Sequence, residues 1–178
     1  MILKHPGPRI RARVINAVFT ALCLMTPQHW LAAEQAKVLS VSDGDTVVLQ
    51  IESGRERVRL IGIDTPESHI NKRAQKQATR NHQDIQSIIE QGKRAAQFTR
   101  NLLPNGTSVR VEYDVERRDH YGRLLGYLWL ANGEMLNETI IKGGYAYPLT
   151  IAPNVRYQER LLKAFHDARN AKRGLWAR

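Results

Sequence analysis

Asp43-Gly44-Asp45, Arg59 and Asp64-Thr65-Pro66-Glu67 lie between residues 43 and 67 and gather most of what metal-assisted chemistry requires. A hard divalent cation takes oxygen ligands, and calcium in particular accepts carboxylates, backbone carbonyls and several waters in a loose shell. An arginine near such a cation adds a planar fork of donors that matches an anion. Each residue alone has a plainer reading. Asp-Gly is commonly a hairpin turn, a glutamate after a proline a solvated surface residue, and an arginine on a strand an outward ion-pair partner. Nor do Asp43 and Asp45 open an EF-hand loop, whose sixth and twelfth positions must be Gly and Glu; here they are Val48 and Gly54.

The elements around these residues decide whether they converge. Apolar side chains alternate at Val47, Leu49 and Ile51 and again at Val58 and Leu60, with Ser53-Gly54 between, which predicts a β-hairpin. Antiparallel pairing would bring Asp45, at the start of one strand, beside Asp64, at the end of the next. Residues 37–51 read as two strands about the Asp43-Gly44 turn and residues 55–63 as a third, stopped by Pro66, which lacks an amide hydrogen. The polar stretch from Ser68 to Asp84 carries Lys72, Arg73, Lys76 and Arg80; it reads as a solvated loop or frayed helix, or in a functional role as a basic flap tracking phosphates.

From Ile85 the apolar spacing becomes helical through Ile88, Ile89, Ala95, Phe98 and Leu102, with Gly92 as an interruption or bend and Pro104-Asn105-Gly106 as the stop. Val109, Val111 and Tyr113 form a fourth strand, and Leu124, Gly126, Leu128 and Leu130 a fifth. Asn137 caps a short helix that Gly143-Gly144 ends, and a last helix spans 155–172 with Leu161, Leu162, Phe165 and Ala168 inward. Five strands with a helix between the third and fourth suit an OB-fold, a partly open barrel, and other small α+β folds as well.

Three motifs in order select among them. Asp43-Gly44-Asp45-Thr46, then Arg59 followed by Asp64-Thr65-Pro66-Glu67, then Asp119-His120-Tyr121-Gly122-Arg123 resemble the staphylococcal nuclease (thermonuclease) family over roughly residues 37 to 176. The resemblance implies an α+β, five-stranded OB barrel with about three helices, and a calcium-dependent nuclease acting on single-stranded DNA and on RNA and leaving 3′-phosphates. It implies calcium held by the carboxylates of Asp45 and Asp64 and the backbone carbonyl of Thr65, with Asp43 orienting a water or closing its turn. It assigns Glu67 to the attacking water, Arg59 and Arg123 to the scissile phosphate, and Tyr121 to the terminal phosphate of a bound nucleotide.

The chain departs from the family in three places. His120 stands where the family has lysine, so a phosphate contact there would weaken above a pKa of about 6.5. The segment after Glu67 is longer. The family's base-stacking tyrosines have Thr150 and Ala152 near their positions; Tyr145 and Tyr147 lie close enough to stack a base or to belong to the core or rim.

The whole chain sets the context. Its 178 residues allow one domain, and a formal charge of +10 favours a polyanionic partner, nucleic acid before anionic membrane. Lys4, Arg9, Arg11 and Arg13 precede an apolar run from Val14 to Met25 and a tail ending Leu31-Ala32-Ala33, the three parts of an export signal. Residues 1–33 are therefore expected to be removed, after Ala33 or alternatively Ala36, leaving a nuclease-like domain over 34–178 with net charge +6. Cys23 leaves with the signal, so the mature chain holds no disulfide, cysteine nucleophile or cysteine zinc site. His-Glu-x-x-His, P-loop and Gly-x-Ser-x-Gly patterns are absent. The expected product is an exported, periplasmic or secreted, monomeric hydrolase with no stable membrane association. The alternatives are a non-catalytic nucleic-acid-binding barrel and an uncleaved, membrane-tethered form.

Overall fold

The computed structural model describes residues 33–177, so the expected leader lies outside the described residues except for Ala33. Seven strands and four α-helices follow in order: β1 (Ala33–Asp43), β2 (Thr46–Ile51), β3 (Gly54–Leu60), β4 (Gly62–Asp64), α1 (Lys72–Asn81), α2 (Ile85–Leu102), β5 (Ser108–Glu112), β6 (Leu124–Trp129), α3 (Leu136–Lys142), β7 (Tyr147–Leu149) and α4 (Gln158–Asn170). A short 3₁₀ turn, Gly174–Trp176, ends the described chain. Among these residues no helix is long and apolar enough to cross a membrane.

Five strands close into a barrel in the order β1-β2-β3-β6-β5, the OB arrangement within an α+β fold. β1 pairs antiparallel with both β2 and β5, and two register shifts along it, after Val38 and after Val41, supply the bending that closure needs. Period-two alternation sends Val38, Val47, Leu49, Val58, Leu60, Val111 and Leu128 into the barrel, all at most 1% exposed. Leu136, Ile140 and Ile141 of α3 complete the same core.

The expected hairpin is present with Thr46 opposite Arg59 and Ile51 opposite Gly54, so its two-residue loop is Glu52-Ser53. Gly62 (φ 80°) breaks the expected third strand into β3 and β4, and β4 pairs with β7 instead of continuing in the barrel. That break turns Asp64 back toward Asp45.

The main departure is α1, a fourth helix where a loop or frayed helix was expected. Asn71 caps it by accepting a hydrogen bond from the Ala74 N–H at 2.8 Å, a contact worth about 1 kcal/mol. Its inner face is only Ala74, Ala78 and Gln77, set against Ile85, Ile88 and Ile89 of α2. Gly92 neither interrupts nor ends α2, which runs through it. Asn137 is no cap, since Met135 holds that position; its fully buried amide instead donates to the Ile61 carbonyl (2.8 Å) and accepts from the Leu128 N–H (3.0 Å). Leu162 lies outward at 42% exposure, and Leu161, Ala164 and Ala168 form the buried face of α4.

Candidate active site

Arg59 ends the polar face of β3, and its guanidinium is the hub of a buried network. Nη1 donates to the carbonyls of Leu60 (2.9 Å) and Ile63 (2.7 Å); Nη2 meets Asp45 Oδ2 at 3.0 Å and Asp64 Oδ1 at 3.1 Å. Two carboxylates from opposite ends of the β2–β4 segment thus reach one nitrogen. Asp45 is fixed further by Thr65, whose N–H and Oγ1 donate to Oδ2 at 3.0 and 3.1 Å, and by the Thr46 hydroxyl at 3.1 Å. Removing one partner from such a network typically costs about 3–5 kcal/mol, because a buried charge is left uncompensated.

The Asp43-Gly44-Asp45 turn is clamped from both sides. The buried Thr99 hydroxyl of α2 donates to the Gly44 carbonyl at 2.8 Å. A Cβ at residue 44 would stand 2.8 Å from the Thr65 side chain, so only glycine lets the turn pack there.

Glu67 is gripped by the two helices that follow it. One carboxylate oxygen accepts from the Asn71 amide at 2.8 Å and the other pairs with Arg73 Nε at 3.0 Å, while the Glu67 N–H donates to the Gln77 side chain at 3.0 Å. Behind it, the Glu67 carbonyl lies directly on Gly92 of α2, where a Cβ would overlap it. Arg73 also reaches Asp64 Oδ1 at 3.2 Å, and its half-exposed side chain lies over both carboxylates.

The third motif forms a tight turn. Asp119 accepts from the N–H groups of Tyr121 and Arg123, both at 3.0 Å, and from Arg123 Nε at 2.8 Å, so it secures the turn. Burial would raise its pKa, but the bonds from Arg123 and Tyr121 outweigh that and hold it below the usual carboxylate value. Arg123 and His120 line a cavity of about 370 Å³ together with Arg59, Arg73, Leu149 and Ile151. Tyr121, 73% exposed, lines a second, adjoining groove that shares Arg73 and Arg123 with the first.

All the residues predicted from sequence therefore lie around one region: Asp45, Arg59, Asp64, Thr65 and Glu67 in one network, Arg123 and His120 on its cavity, Tyr121 just beyond. Tyr145 and Tyr147 are both half-buried against other aromatic rings. Tyr145 stacks on Phe98 at 4.4 Å, and Tyr147 packs edge-on against Trp176 at 5.1 Å. Asn71, Gln77 and Thr99 went unread, and Arg73 and Gly92 were read only as part of a basic stretch and as a helix interruption or bend. Only Asn71, a capping residue three positions before Ala74, carried a local signal.

Two of the site's carboxylates hold their protons more tightly than usual. Burial, then the charge of Asp45, pushes Asp43 up to about 6. Burial likewise raises Asp64, with Arg59 pulling the other way and Asp45 adding to the rise. Four interacting carboxylates, Asp43, Asp45, Asp64 and Glu67, face two guanidiniums, Arg59 and Arg73, an excess of two negative charges. No cluster of three or more Asp, Glu, His or Cys with metal-binding geometry occurs among the described residues. Asp45 and Asp64 are the two carboxylates brought together, with Arg59 between them, and a cation there would need its remaining ligands from backbone carbonyls and water.

Comparison with known proteins agrees with this geometry. The family profile described as staphylococcal nuclease homologue matches residues 57–178. A thermonuclease of Staphylococcus hyicus is 37% identical over 141 residues, covering 79% of this chain and 75% of that protein. One from Staphylococcus intermedius is 37% identical over 145 residues, covering 82% and 77%. An uncharacterized protein of Methanocaldococcus jannaschii is 31% identical over 147 residues, covering 79% and 70%. With the barrel, the order of its motifs and these relatives in agreement, the chain belongs to the staphylococcal nuclease family.

Proposed function

We propose that this protein is a calcium-dependent phosphodiesterase, exported after loss of residues 1–33, that hydrolyses single-stranded DNA and RNA and leaves 3′-phosphates. The observation that carries the reading is the convergence of Asp45, Asp64, Glu67 and Arg59 in one network, with Arg123 on the adjoining cavity. Asp45, Asp64 and the Thr65 carbonyl would hold the cation; when bound, calcium supplies positive charge that polarises a phosphoryl oxygen. His120 and Tyr121, whose rings lie against each other, would contact the substrate beside Arg123.

The side chains divide the remaining work. Glu67, held at both oxygens, orients the attacking water and takes its proton once Arg73 gives way to substrate. The water oxygen bonds to phosphorus as the bond to the 5′ oxygen breaks, and that oxygen leaves to be protonated by solvent. Arg59 and Arg123 offer donors where negative charge grows on the phosphoryl and departing oxygens. Losing one such donor typically costs about 100–1,000-fold in rate. The test is single-turnover hydrolysis of labelled single-stranded DNA by wild type and Glu67→Gln, with end-group analysis. The reading expects 3′-phosphate ends and a rate loss of about 100-fold or more in the variant. Wild-type rates in the variant, or 5′-phosphate ends, would overturn it.

A further inference from the structure

Arg55 and Arg57 point outward from β3 on the same face as Arg59, and neither takes part in the network just described. Strand alternation makes this a ladder. Val58 and Leu60 enter the barrel, and Arg55, Arg57 and Arg59 follow one another on the other face at about 6.8 Å per step. Their cross-strand partners on β2 are Gln50, Val48 and Thr46, none of them acidic.

Arg55 and Arg57 are exposed and form no ion pair among the described residues, whereas Arg59, Arg73, Arg118 and Arg123 all do. They line an open groove of about 450 Å³ with Arg73, Tyr121, Gly122 and Arg123. The one acidic residue in it, Glu56, is neutralised by Arg118 through two bonds of 2.6 and 3.1 Å. Like charges stacked along one strand face repel, so the fold gains nothing from this ladder; a polyanion lying along it gains from every rung.

We propose that Arg55 and Arg57 form a phosphate track that holds the polynucleotide backbone flanking the phosphate at Arg59 and Arg123. One rung every two residues is close to the length of a single nucleotide in an extended strand. Successive phosphates can then meet Arg59, Arg57 and Arg55 in turn, with the Tyr121 ring as the opposite wall. The track contacts backbone alone, so it confers length dependence and no base preference. Its place beside the scissile phosphate rests on the proposed function, but binding along it requires neither cation nor cleavage.

The experiment measures the affinity of purified protein for a labelled single-stranded 12-mer by fluorescence anisotropy, in chelator, across a salt series. Wild type is compared with Arg55→Gln/Arg57→Gln and with a charge-matched control, Arg169→Gln/Lys172→Gln, at the far end of α4. Two lost phosphate contacts should reduce the slope of log affinity against log salt by about 1.4. They should also weaken binding at low salt about tenfold, with the control near wild type. A dinucleotide, which has one bridging phosphate, should bind wild type and the ladder variant alike. An unchanged slope in the ladder variant, or an equal fall in the control, overturns the track. Absence of cleavage on adding calcium would count against the nuclease reading alone.

Discussion

Asn71 does two things with one side chain, and substitution can separate them. Its Oδ1 caps α1 through the Ala74 N–H, and its Nδ2 donates to Glu67, both at 2.8 Å. Asn71→Ala removes both. Loss of the cap should cost about 1 kcal/mol of stability, equivalent to about 2–4 °C in melting temperature for a domain of this size. Asn71→Ser keeps a capping oxygen but is too short to reach Glu67, so its stability should stay within about 0.5 kcal/mol of wild type. Catalysis should respond in the other pattern. Losing a contact that orients a functional carboxylate typically costs about 10–100-fold, so both variants should show kcat reduced by that factor with KM little changed. Urea unfolding in chelator gives the stabilities, and steady-state hydrolysis of single-stranded DNA with calcium gives the rates. Wild-type kcat in Asn71→Ser would refute the claim that α1 sets the position of Glu67.

Further expectations concern the clamps around the same residues. Gly92→Ala would stabilise an ordinary exposed helix by about 1 kcal/mol; here the added Cβ overlaps the Glu67 carbonyl, so chemical denaturation should show a loss of about 1–3 kcal/mol, with kcat falling too. Thr99→Val keeps the shape but leaves the Gly44 carbonyl without its donor, and should cost about 1–3 kcal/mol by the same assay. Asp43 is raised to about 6 by burial and by Asp45, so in chelator its proton binds more tightly in the folded state. Its stabilising contribution is therefore present at low pH and lost as pH rises from about 4 through about 6. Asp43→Asn should unfold less readily than wild type at pH 7, by on the order of 2 kcal/mol, with the difference shrinking toward pH 4. Equal stability of the two proteins at pH 7 would contradict that assignment.

Sequence periodicity found the parts of the fold in which large apolar side chains alternate. Val47, Leu49, Ile51, Val58 and Leu60 defined the hairpin, and with it the approach of Asp45 to Asp64, because a strand with one buried face has little freedom of register. The helix from Ile85 was legible for the same reason. Helix α1 was not, because its buried face is two alanines and a glutamine, and its role depends on what lies beneath: Ile88 and Ile89 of α2 and the Glu67 carboxylate. Arg73 belonged to a segment read by charge alone, and only the turn between Glu67 and α1 shows that it lies over two carboxylates. Gly92 looked like a weak point in a helix; its reason is a backbone 25 residues earlier in the chain, which no local pattern records. Asn137 resembled a cap because Asn often is one, whereas its buried amide ties α3 to the barrel strands. In each case the missing information is a long-range contact made by a small or polar side chain, where hydrophobic spacing carries no signal.

The most direct test of the account is hydrolysis of single-stranded DNA by the purified protein with calcium, with magnesium, and with a calcium chelator. Cleavage that requires calcium, stops in chelator and yields 3′-phosphate ends is the predicted result. Tight binding of the DNA without cleavage under all three conditions would contradict the catalytic reading and leave a nucleic-acid-binding barrel in its place.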